Sequence, residues 1–179
     1  YCDKKDDIHR TASQTVMAMI TKKLISTLAC ILTYTMDELL DFAPHIIKGG
    51  AKDIFDFTRY DLPEVKSFIN DELFVEAKEK FSEIKDALSK EKIIKSTLEL
   101  EIVTTNKEFL ALDEVESSDW FLVSKVSNTT SNEKELGSFK IEDSEFKVFK
   151  ASGHKCPRCW KYTSTKEDEL CSRCDEVVN

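Results

Sequence analysis

Apolar positions recur with two different periods along this chain, and the change of period divides it. Between Ile8 and Ile31, the residues Ile8, Ala12, Val16, Ile20, Leu24, Leu28 and Ile31 return every three or four positions, which places them on one face of an α-helix. Met17, Met19 and Ile25 widen that face, so the helix is predicted to pack against more than one neighbour in a bundle. Thr35-Met36-Asp37-Glu38 has the Ser/Thr-x-x-Glu pattern of a helix start, and Pro44 stands just past the end of the short helix it opens. The stretch from Gly49-Gly50 to Pro63 reads as a loop anchored by Phe55, Phe57 and Tyr60. A third helix is predicted over 64–90, with Val65, Ile69, Leu73, Ala77, Phe81, Ile84 and Leu88 on one face and Lys and Glu on the other.

At Thr97 the period drops to two. Leu98, Leu100 and Ile102 alternate with Glu99, Glu101 and Val103, the pattern of a half-buried strand. Trp120-Phe121-Leu122-Val123 reads as a more fully buried strand, and Phe139/Ile141 and Phe146/Val148 as two edge-like strands, with a polar loop at 127–136 between them. The expected fold class is therefore α+β. A helical bundle over 1–91 precedes a small mixed α/β subdomain over 92–150, and a knuckle over 151–179 closes the chain.

The knuckle carries the clearest chemistry. Cys156-Pro157-Arg158-Cys159 and Cys171-Ser172-Arg173-Cys174 are two Cys-x2-Cys turns, each able to set two sulfurs on one edge of a tetrahedron. Cys156, Cys159, Cys171 and Cys174 are thus predicted to hold one Zn2+. Four thiolates leave no position for water, so the site is structural rather than hydrolytic. Few apolar groups lie nearby, chiefly Trp160, Tyr162, Leu170, Val177 and Val178, so metal binding and folding of this tail are expected to be one event. Cys30 lies in an apolar helical run and is expected to be a packed core thiol. His154 beside the first cysteine, and His9 and His45 elsewhere, are read as surface or helix-end histidines.

Composition narrows the setting. No run of about 18 apolar residues and no signal-peptide pattern occurs, which predicts a soluble, cytoplasmic protein that does not contact membranes. The chain opens on Tyr1 inside a polar segment, as a fragment of something larger would. The net charge of −8 argues against nucleic acid until its distribution is considered. The excess acid lies in the middle of the chain, whereas Lys155, Arg158 and Lys161 precede every acidic residue of the tail. Lys155, Arg158, Lys161 and Arg173 around the metal, with Trp160 as a ring for stacking, suit single-stranded or looped RNA. Trp160 packing as the knuckle's own core is the competing arrangement. No Gly-rich phosphate loop, Gly-x-Ser-x-Gly elbow or distinct carboxylate pair is present, and no catalytic residue is assigned.

Taken together these motifs resemble the C-terminal region of bacterial isoleucyl-tRNA synthetases. Tyr1-Cys2-Asp3 and the helix opening His9-Arg10-Thr11-Ala12-Ser13-Gln14-Thr15 resemble that family's anticodon-binding helical domain, as does Thr35-Met36-Asp37-Glu38. Lys95-Ser96-Thr97-Leu98-Glu99 resembles its strand entry, Trp120-Phe121-Leu122-Val123-Ser124 its aromatic-rich strand, and Lys155-Cys156-Pro157-Arg158-Cys159-Trp160 its knuckle. Two departures stand out: Ala29-Cys30-Ile31-Leu32-Thr33-Tyr34 replaces a proline-bearing break, and Lys95 stands where glycine is common. The resemblance implies a class I ligase that attaches isoleucine to its tRNA with ATP. The ATP-handling signatures and the editing domain lie outside this sequence, so the segment itself is expected to be non-catalytic. It implies an anticodon stem-loop contact through Lys155, Arg158, Trp160, Lys161, Arg173 and Arg10, with tRNA for isoleucine and the rest of the synthetase chain as partners and a monomer as the oligomeric state. The alternatives are the zinc-finger tail of a DNA glycosylase, whose inner spacing is longer, and a zinc protein-interaction module.

Overall fold

The computed structural model describes residues 3–66, 69–130, 132 and 134–178. Tyr1 and Cys2, the first half of the Tyr-Cys-Asp match, lie outside the described residues. The chain divides into two compact units, 3–66 and 69–178, and each is treated separately.

The first unit holds α1 (Ile8–Leu28), α2 (Thr33–Phe42) and α3 (His45–Lys48). Asp7 starts α1 by accepting the His9 amide on its carboxylate at 2.8 Å. The helix stops before the predicted Ile31, because the amides of Ile31 and Leu32 both turn back to the Leu28 carbonyl. Of its predicted apolar face only Ile25 is buried; Val16, Ile20 and Leu24 are exposed. Helix α2 begins at Thr33, two residues ahead of the predicted capping box, and Leu32 caps it without a side-chain bond. Asp37 of that box serves elsewhere, accepting the Ile54 amide at 2.9 Å. Pro44 does end α2 but also opens the unforeseen single turn α3, which Gly49 closes in the left-handed conformation at φ +60°. The core is Ile25, Met36, Leu40, Ile47 and Ile54, with Phe57 packed beside it. The loop is therefore anchored by Ile54, whereas Phe55, expected to pack, is exposed. Cys30, expected in the core, is exposed too.

The second unit starts with α4 (Asp71–Lys90). The expected start at Glu64 is corrected by Asn70, whose side chain accepts the Leu73 amide at 3.3 Å, while Val65 is exposed ahead of it. Leu73, Phe74, Ala77, Phe81 and Leu88 are buried against a four-stranded sheet. The predicted boundary near Lys92 is thus misplaced: α4 shares its core with the strands that follow it. That sheet contains β1 (Leu100–Thr104), β2 (Lys125–Ser127), β3 (Glu135–Ile141) and β4 (Ser144–Lys150) in the order β2-β1-β4-β3. Strands β1 and β2 are parallel and the other neighbours antiparallel. The strand 144–150 is consequently central, not the edge its alternation suggested.

Between β1 and β2 run α5 (Lys107–Ala111) and α6 (Glu114–Phe121). The segment Trp120–Val123, expected as a strand, is instead the end of α6 and the turn leaving it. Asp113 caps the helix by accepting the Glu116 amide at 2.7 Å, and Leu122 terminates it at φ +58°. The apolar run is buried all the same: Phe121 and Val123 enter the core, and Trp120 donates its Nε1 hydrogen to the Phe74 carbonyl at 3.0 Å. Rings knit this core together, with Phe109 stacked on Phe74 at 4.0 Å and on Phe121 at 5.1 Å. On the other side of the sheet Glu101 is buried, its carboxylate accepting from Thr130, Asn132 and Ser152.

Candidate metal centre and nucleic-acid face

The tail leaves the sheet by a backbone bond from Ala151 to the Glu99 carbonyl at 2.7 Å. It then forms a two-stranded ribbon of β5 (His154–Lys155) and β6 (Tyr162–Ser164). Gly153 permits this pairing, because a Cβ there would lie 2.5 Å from the Tyr162 carbonyl oxygen. The turn between the two strands carries the first cysteine pair. The Trp160 amide bonds to the Cys156 carbonyl and the Cys156 amide to the Lys161 carbonyl, each at 2.9 Å. Trp160 itself stands in the left-handed conformation at φ +66°. The second pair sits where α7 (Ser172–Val178) begins, and the Cys171 amide points at Cys156 Sγ at 3.4 Å.

All four sulfurs lie within 4.8 Å of one another, with Cys159 Sγ and Cys171 Sγ 3.7 Å apart. Sulfurs at about 2.3 Å from a tetrahedral Zn2+ are separated by about 3.8 Å along each edge, so the donor set fits one such ion. Cys156, Cys171 and Cys174 are buried and Cys159 half-buried, with Leu170 packed against them. Burial pushes the Cys156 thiol up, but amides of Cys159, Cys171 and Arg158 converge on it and bring it down to about 6. Burial raises Cys159 and Cys174; neighbouring sulfurs push Cys159 further up, while the Arg158 hydrogen bond opposes the rise at Cys174. Cys156, Cys159, Cys171 and Cys174 would hold a divalent cation as thiolates, its charge offsetting theirs. Arg158 adds a positive charge from outside, donating from Nη1 to Cys174 Sγ at 3.5 Å.

The remaining candidates separate. Trp160 is not part of the knuckle's core: it is 62 % exposed, and Lys155 Nζ lies 5.8 Å from its ring centre. Both line an open depression of about 550 Å³ together with His154, Pro157, Tyr162 and Asp168. Lys161 faces the other way, donating to Ser118 Oγ at 2.7 Å and Asp119 Oδ1 at 2.6 Å. Arg173 lines a smaller depression of about 200 Å³ against α6, beside Glu114 and Ser118. Arg10 belongs to the other unit, on α1, where Nη1 donates to the Asp3 carbonyl at 3.3 Å. Sequence reasoning misses Ser118, Asp119 and Ser124, the groups that receive the knuckle, because reading Trp120–Val123 as a strand leaves its neighbours without an orientation.

A helix-covered sheet closed by a four-thiol cluster able to hold a metal ion makes the second unit a small α/β module, and the proteins whose sequences match it are aminoacyl-tRNA synthetases. No family model matches the chain. Over its whole length the chain is homologous to a region of the isoleucine–tRNA ligases. It is 64 % identical over 178 residues to the isoleucine–tRNA ligase of Aliarcobacter butzleri, a match covering 99 % of the chain and 19 % of that protein. It is 49 % identical over 179 residues to that of a Nitratiruptor species, covering 100 % of the chain and 19 % of the protein. With the enzyme of Sulfurimonas denitrificans it shares 46 % over 179 residues, again all of the chain and 19 % of the protein. The chain therefore spans about a fifth of the length of these relatives. Their names remove the ground for a DNA glycosylase tail. Among the described residues no helix is long and apolar enough to cross a membrane.

Proposed function

We propose that this chain is the tRNA-binding C-terminal region of a cytoplasmic, monomeric isoleucine–tRNA ligase, with ATP and isoleucine handled by another part of the parent protein. Its knuckle holds one structural Zn2+ on Cys156, Cys159, Cys171 and Cys174, and the helical first unit and the knuckle together meet the anticodon stem-loop. The observation that carries this reading is Trp160. An aromatic ring of that size, exposed on the cysteine turn with a lysine ammonium over it, supports a role as a stacking platform for an unpaired base. Lys155 and Arg158 supply charge for the flanking phosphates, with Arg173 and Arg10 as further contacts. Arg158 has a double task in this reading, because its Nη1 also serves Cys174.

The test is tRNA binding by the full-length protein at two salt concentrations, comparing isoleucine tRNA with an unrelated tRNA. Trp160→Ala is expected to weaken the cognate complex by about 1–3 kcal/mol, the usual worth of one base–aromatic stack. Equal binding of both tRNAs, or full affinity without the ring, would sink the reading. A protein-interaction role for the knuckle would then be left, since part of its surface is already turned against α6.

A further inference from the structure

Lys161 belongs to both sides of a joint. Its carbonyl accepts the Cys156 amide inside the metal turn, while its side chain leaves the knuckle and ends on α6. The Lys161 side chain is 12 % exposed. Ser118 is oriented to receive it: its hydroxyl hydrogen goes to the Val115 carbonyl at 3.0 Å, leaving a lone pair for Lys161. One residue on, the Tyr162 amide donates to Ser124 Oγ, whose own hydrogen goes to the Leu98 carbonyl, both at 2.5 Å. Two consecutive residues of the knuckle are therefore fastened to two ends of one turn, Ser118-Asp119 before Leu122 and Ser124 after it.

We infer that Lys161 is a positioning residue, a clamp that fixes the zinc knuckle on helix α6 and so sets where the neighbouring Trp160 stands, and that it is not a phosphate contact. A lysine serving phosphate keeps its ammonium in water and contributes to the salt dependence of binding. This one spends two of its three N–H donors inside the protein. The functional half of the inference rests on the tRNA reading above, whereas the clamp itself does not.

The two roles predict opposite signs for Asp119. Removing an acidic side chain near an RNA-contacting lysine strengthens RNA binding, whereas removing half of a clamp weakens it. Lys161→Met, Asp119→Ala, Lys161→Arg and Trp160→Ala in the zinc-loaded full-length protein would be compared by metal content, by hydrogen exchange of residues 154–164 and by tRNA affinity across a salt series. The expected result is one bound zinc throughout and faster exchange in both Lys161→Met and Asp119→Ala. Each should lose about tenfold in tRNA affinity at unchanged salt slope, with recovery in Lys161→Arg, and a variant combining Lys161→Met with Asp119→Ala should be no worse than either single one. Tighter binding by Asp119→Ala, or a salt slope lower by about one in Lys161→Met, would make Lys161 a phosphate contact and overturn the inference. Unchanged exchange in both variants would overturn it as well. Faster exchange with tRNA affinity untouched by all four substitutions would uphold the clamp and bring down the tRNA reading instead.

Discussion

Helices α1 and α4 are nearly equal in length, 21 and 20 residues, and both carry an apolar stripe, yet they end differently. Helix α4 buries five of its residues, and its opposite face is a lattice of Lys and Glu, including the Glu76–Lys80 pair at 2.8 Å. Helix α1 buries only Ile25, and from Thr11 to Thr21 it has no charged side chain at all. The units follow the same division. Among the described residues, fifteen buried ones with interlocked phenyl rings form the core of the second, against five in the first. Periodicity therefore says which face of a helix is made for burial but not how much of it this stretch of chain can cover.

The largest effect that separates the regions is metal removal. Chelation should unfold 154–178 while leaving the α4–sheet core intact, because the knuckle's cluster is little more than its own cysteines and Leu170. Structural zinc contributes about 10–16 kcal/mol to domains of this kind. Loss of signals from the knuckle alone, in a spectrum that keeps those of Phe74 and Phe109, would confirm it. Cys156→Ser or Cys174→Ser should have the same local outcome.

Next in size is Phe146→Ala, which opens the point where Phe109, Phe121 and Phe139 meet. It should destabilise the second unit by about 3–5 kcal/mol, read from denaturant unfolding, and leave exchange in α1–α3 unchanged. Ile25→Ala is expected to cost less, about 2–4 kcal/mol, but from a core of five residues. The first unit should then open on its own while the second stays folded; a single shared transition would show that the comparison is drawn too sharply. Asp61 marks the small end. Its hydrogen bond from Lys23, and then that from Arg59, hold its carboxyl below the ordinary 3.8. A depressed folded value means the contribution is present at neutral pH and lost as acid passes down through it. The group is wholly exposed, so Asp61→Asn should leave the melting temperature nearly unchanged at pH 7.

What was legible in the amino-acid order follows from how local each signal is. The clustering of the four cysteines was legible because two Cys-x2-Cys turns each bring a pair of sulfurs together whatever the rest of the fold does. The body of α4 was legible for a similar reason, since five turns of one period leave little alternative. Its start was not: Glu64 stands directly before an apolar residue, whereas Asn70, whose side chain takes the Leu73 amide, stands before Asp71 and Glu72. The run Trp120–Val123 shows the limit more sharply. Four apolar residues fit a buried strand or a buried helix end equally well, and the deciding features were Asp113, seven residues upstream, and a left-handed Leu122 where glycine is the usual sign. In the site, the spacing put Lys161 beside the cysteine cluster but could not say which way its side chain turns. That direction depends on α6, an element the periodicity does not identify.

The sheet's strand order also bears on how the chain assembles as it is made. Strand β1 lies between β2 and β4, and its pairing joins Ile102 to Val126 on one side and to Val148 on the other. A ribosome delivers β2 soon after β1 but β4 much later, so one edge of β1 waits unpaired through the synthesis of α5, α6 and β3, the condition under which strands mispair. The knuckle comes after that, and its attachment points, Glu99 and Ser124, are the residues directly before β1 and β2. Docking of the knuckle is thereby expected to follow the formation of β1 and β2, whose flanking residues anchor it.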